Sequence, residues 1–67
     1  MNKLAVNLAF LLQERGISQT QLADFLNIKQ QTISKYLHKI SEPSLDTVIQ
    51  IARYFDVSTD YLLGLEE

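Results

Sequence analysis

The chain has 67 residues, a net charge of −2, one histidine and no cysteine, a length that supports one domain with a small core. The lack of cysteine rules out a disulfide framework or a cysteine zinc site, and His38 alone builds neither a metal centre nor a catalytic pair. No apolar run approaches the roughly 18 residues that span a bilayer, and the N-terminus lacks a basic-then-apolar leader, which points to the cytoplasm.

One proline, two glycines and no tryptophan, set among long helix-forming stretches, predict an all-α fold. Over residues 3 to 14, Leu4, Ala5, Leu8, Leu11 and Leu12 form an apolar stripe at helical spacing, and Gly16 is the expected left-handed stop. Ser18 and Gln21 fit a capping box, with Ile17 and Leu22 placed to staple the start of a second helix near Gln19. Leu22, Ala23 and Leu26 give that helix its buried edge, and Asn27 accepts the left-handed backbone that ends it.

A third helix begins near Lys29. Ile28 and Ile33 pin it to the second, Tyr36 shares the inner row with Ile33, and Leu37 either seals the junction with the fourth helix or is partly exposed. Lys29, Gln30, Gln31, Thr32, Ser34 and Lys35 are all polar, with no acid among them. After Pro43, Ser44 caps that fourth helix, whose expected core face is Leu45, Val48, Ile49, Ala52 and Phe55, and Ser58 caps a short fifth helix, Thr59 to Leu63, ended by Gly64. Glu14, Asp24 and Glu42 read as solvated charges.

The distribution of charge matters more than its total. Residues 1–28 are neutral, residues 29–40 carry +3 from Lys29, Lys35 and Lys39, and residues 41–67 carry −5. Local field decides where a phosphate backbone docks, so the basic excess on the third helix points to DNA despite the acidic total. A solvated basic face without a partner is the plain alternative. The glutamine pair and the capped turn coincide with the basic residues and favour DNA.

Four separated motifs carry a resemblance: Gly-Ile-Ser-Gln-x-x-Leu-Ala at Gly16 to Ala23, Thr-Ile-Ser at Thr32 to Ser34, Pro-Ser-Leu-x-Thr at Pro43 to Thr47, and Phe-x-Val-Ser-x-Asp-Tyr-Leu-Leu-Gly at Phe55 to Gly64. In order and spacing they resemble the Cro/repressor-type helix-turn-helix family. The resemblance implies a compact five-helix, lambda-repressor-like domain over residues 1–67, with its helix-turn-helix unit at about 19–38. It implies a sequence-specific regulator of transcription that binds double-stranded DNA, a repressor acting on a palindromic operator as a homodimer, without enzymatic activity, cofactor or small-molecule substrate. The other reading is a protein-interaction module of the same fold, of antitoxin or anti-repressor type.

Carried over by position, the resemblance assigns Gln30, Gln31 and Lys35 to the major-groove floor, and Lys29, Thr32 and Ser34 to its walls. Gln19 contacts a phosphate or buttresses the first reader. Positions 31 and 35 lie one turn apart on a single face, with 30 and 34 in the adjacent row. Glutamine bonds adenine at N6 and N7, and lysine donates to guanine O6 and N7. His38 is expected beside phosphate or solvent.

The chain departs from the family pattern after the third helix, where an acid and then a glycine are common but Leu37 and Lys39 stand. Either the helix runs on to about Lys39, or His38 or Lys39 takes a strained conformation. Lys39 is a further candidate for the DNA backbone. Tyr61, Leu62, Leu63 and Leu65 are more apolar surface than one side of a short helix buries, so Tyr61, Leu62 and Leu65 are expected at a dimer contact. Such a dimer sets two third helices about 34 Å apart, one turn of DNA.

Overall fold

The computed structural model describes residues 2–65. Among these residues the chain forms five helices and no strand: α1 Leu4–Arg15, α2 Gln19–Leu26, α3 Gln30–Leu37, α4 Leu45–Phe55 and α5 Thr59–Leu63. Glu66 and Glu67, counted in the acidic third of the chain, lie outside the described residues.

Four of the five helix starts have a side-chain acceptor for a leading amide. Asn2 Oδ1 accepts the Leu4 N–H at 2.9 Å. The capping box at α2 is complete, with Gln21 N–H donating to Ser18 Oγ at 3.0 Å and Ser18 N–H to Gln21 Oε1 at 2.8 Å. Ser44 and Ser58 accept the Thr47 and Tyr61 amides at 3.3 and 2.9 Å. Alanine at such a cap usually costs about 1 kcal/mol. At α3 Lys29 stands in the cap position and offers no side-chain acceptor.

The helix ends share one device. Gly16, Asn27, Lys39, Asp56 and Gly64 take φ between 57° and 79°. The amide of the next residue returns to the carbonyl five positions back: Ile17 to Leu12, Ile28 to Ala23, Ile40 to Lys35, Val57 to Ala52 and Leu65 to Asp60, at 2.8–3.0 Å. This is the Schellman motif, in which a left-handed residue lets the chain satisfy the last carbonyls and leave at a steep angle. An apolar residue succeeds every left-handed one. Ile17, Ile28 and Val57 pack against the core, whereas Ile40 and Leu65 remain exposed.

Leu8, Leu11, Leu22, Ile33, Ile51, Phe55 and Leu62 are fully buried and fill the centre of the domain. α1 packs on α3 and α5, and α2 packs on α3 and α4. On α4 the inward stripe is Val48, Ile51, Ala52 and Phe55. Leu45, expected on that face, is 70% exposed: it stands on the first turn beside exposed Ser44 and Asp46, where no other element covers it. Ile49 lies at the edge of the stripe and is half-buried.

α5 is tied down more firmly than its length suggests. Asn7 Nδ2 donates to the carbonyls of Tyr61 and Leu62 at 2.9 and 3.2 Å, and the Lys3 amide donates to Leu63 at 3.0 Å. These bonds turn Leu62 into the core, where its exposure is 0%. The assignment of Leu62 to a dimer contact is therefore corrected: it is a core residue with no surface to offer. Tyr61 is half-buried against the core and Leu65 is 66% exposed.

Candidate nucleic-acid interface

α3 is held by one narrow edge. Ile33 and Tyr36 are buried and Leu37 is half-buried against the core. These three residues fall within one arc of the helix at 100° per residue, so the rest of its circumference is turned away from the core. Along that outer arc come Gln30, Ser34, His38, Gln31, Lys35 and Thr32. Gln30, Gln31, Lys35 and His38 are exposed, and Ser34 and Thr32 are half-buried at its borders.

The turn between α2 and α3 sets the direction of this arc. Asn27 at φ 58° ends α2, and Ile28 docks on the core. Lys29 then takes an extended conformation, φ −78° and ψ 146°, and α3 leaves at once. Thr32 N–H closes its first turn on the Lys29 carbonyl at 2.9 Å. Because Lys29 supplies no cap, the opening amides of α3 have no side-chain acceptor and carry the positive end of the helix dipole.

Gln19 and Gln30 meet across the turn, with Gln30 Nε2 donating to Gln19 Oε1. That single bond holds the first polar side chain of α3 against the first residue of α2. It leaves Gln30 with its carbonyl oxygen and one amide hydrogen, the donor and acceptor pair that an adenine edge requires. At the other end His38 Nδ1 lies 2.8 Å from the Ser34 carbonyl and 3.4 Å from Ser34 Oγ, which folds the imidazole back along the helix. Lys29 and Lys39 stand exposed at the two ends.

α3 stops at Leu37 and Lys39 adopts φ 61°, so of the two expected exits the strained one occurs. The amides of Lys39 and Ile40 bond the carbonyls of Tyr36 and Lys35 at 3.2 and 2.9 Å. Other surface features carried no advance sign in the pattern. Val6, Phe10, Phe25 and Ile40 are large exposed apolar residues, and the Phe25 ring lies tilted at 48° against Tyr54 with centroids 4.6 Å apart. No group of three or more His, Asp or Glu residues among the described residues is placed to hold a metal, and no described helix is long and apolar enough to cross a membrane.

A capped helix, a left-handed turn and a second helix held by one edge define a helix-turn-helix domain. Residues 8–62 match the Cro/C1-type helix-turn-helix family, and the chain belongs to it. Among curated proteins it is similar to the HTH-type transcriptional regulator ImmR of Bacillus subtilis (strain 168), 38% identical over 55 residues, which cover 82% of this chain and 43% of ImmR. The SPbeta prophage-derived uncharacterized HTH-type transcriptional regulator YonR of the same organism is 43% identical over 49 residues, covering 73% of this chain and 45% of YonR. A transcriptional regulator from Listeria innocua of known crystal structure superposes with a TM-score of 0.93 at 31% identity, covering all of this chain and 63% of that one. The chain thus spans about half the length of the curated relatives it matches.

Proposed function

We propose that the protein is a sequence-specific regulator of transcription that binds double-stranded DNA through the outer face of α3, as a repressor of a palindromic operator occupied by a homodimer. The observation that carries this reading is the exposed, acid-free arc of α3, with Gln30 already oriented by Gln19. Gln30 and Gln31 read adenine edges, and Lys35 donates to guanine. Gln19, Lys29, Thr32, Ser34, His38 and Lys39 contact the sugar-phosphate backbone, which sets register without reading sequence. The uncapped start of α3 favours a phosphate at the same place.

Dimerisation is a matter of scale. An eight-residue helix is about 12 Å long and spans only about four base pairs. Two copies related by a two-fold axis double the contacts and match the symmetry of a palindrome. Tyr61 and Leu65 are the proposed contact residues on α5 and just beyond it. The names of the relatives as transcriptional regulators support the coarser reading, a regulator of transcription.

The test is selection of bound sites from a random duplex library, with oligomeric state measured alongside. An enriched palindrome with half-site centres about one helical turn apart supports the proposal. Recovery of no common sequence points instead to a protein-interaction module built on the same fold.

A further inference from the structure

Lysine is the odd member among the five residues that end helices in this chain. Gly16 and Gly64 reach a positive φ without a side-chain clash, and Asn27 and Asp56 belong to the types that tolerate it best. Lys39 does neither, yet φ is 61°. No side-chain contact compensates: among the described residues the Lys39 ammonium makes no hydrogen bond or ion pair, and Glu42, which lines the same shallow groove of about 230 Å³, is not paired with it. Complementing the dipole at the carboxyl end of α3 does not require it either, because Lys35 already stands in the last turn. Ile40, the apolar residue that should dock behind such a turn, is 72% exposed. The exit of α3 is therefore the least self-consistent helix end in the molecule, and it adjoins the DNA-facing arc.

We infer that Lys39 is a backbone-phosphate anchor held in a strained conformation, so that glycine at this position stabilises the fold and weakens DNA binding together. The inference rests on the DNA reading above and adds a trade-off that ordinary surface lysines do not show. Strained backbone persists where surrounding structure over-determines it and function uses it. Lys39 also stands beyond the last turn of α3, past Lys35 along the chain. Only the charge at position 39 is then useful, and any residue better suited to the turn lacks it.

The experiment compares the parent with K39G, K39N and K39R by thermal melting and by titration of a labelled random-sequence duplex over a range of salt. K39G and K39N should melt higher, K39G by about 4 °C or more. Their plots of log affinity against log salt should be shallower by about 0.9, so the parent's advantage grows roughly eightfold for each tenfold drop in salt. K39R should keep the parent's slope. Parental slopes in K39G and K39N overturn the anchor, and unchanged or lower melting of K39G overturns the strain. If the parent itself binds duplex with no salt dependence, the DNA reading fails, and the inference with it.

Discussion

Residues of like chemistry have opposite duties in this chain, and substitution separates them. Leu62 and Leu65 are three positions apart, but Leu62 is enclosed and Leu65 is not. Leu62→Ala should destabilise by about 2–5 kcal/mol through the lost apolar area and the cavity it leaves, enough to unfold much of so small a domain. Leu65→Ala should change stability by less than about 0.5 kcal/mol, and urea unfolding of the two variants checks both values. On α3, Gln31→Ala should relax preference at one base pair per half-site, weakening the selected operator by about 1–3 kcal/mol. Equal affinity of mutant and parent across a randomised operator library would count against Gln31 as a reader. Gln19→Ala should act through Gln30, whose amide loses its bond to the Gln19 side chain, and should blur the neighbouring base pair with the fold intact.

At the scale of the helix, what could be read in the sequence was whatever neighbours along the chain decide. The Ser18–Gln21 box, the Gly16 and Gly64 stops and the Asn27 turn depend on residues within five positions of each other, and each forms as its spacing implies. Features settled by distant parts of the chain were not legible. Leu45 fits the apolar period of α4 but overhangs the core, and Ile51 takes the inward place. Leu62 turns inward because Asn7, 55 residues away, holds the α5 backbone. The polar face of α3 was legible because a run without acids shows at sequence level; its contact with Gln19 needed the turn to bring two helices together. The docking of α5 supplies its own test. A Cβ at Gly64 would lie 2.7 Å from Lys3 Cβ, at φ 79°, so Gly64→Ala should both strain the turn and push α5 off α1. We expect a loss of at least about 1–2 kcal/mol, with early hydrogen exchange at the Leu62 amide. Exchange no faster than in the parent would show that α5 is anchored elsewhere.

For the whole molecule, an acidic protein is proposed to bind a polyanion, and the arrangement of charge resolves the apparent conflict. Lys29, Lys35 and Lys39 stand at the start, in the last turn and at the exit of α3, while Asp46, Asp56 and Asp60 belong to α4, its end and α5. Local field rather than net charge decides where a phosphate backbone docks, which is why the proposed encounter leads with α3. The domain measures 31 × 23 × 20 Å, so two copies side by side suit half-sites about 34 Å apart on one face of DNA. A charge placed at the proposed contact, Leu65→Asp, should lower the dimer fraction in sedimentation and flatten cooperative operator binding, while melting at concentrations where the parent is monomeric stays nearly unchanged. Docking of the outer face of α3 on DNA phosphates and bases is put to proof by the salt dependence of duplex binding for the parent and a K29A/K35A variant. The parent should show a steep decline, with a log–log slope of roughly −0.9 per neutralised phosphate, and the variant a slope shallower by about one such unit or more. Identical slopes in the two proteins, or a parent slope near zero, would contradict a DNA-facing α3.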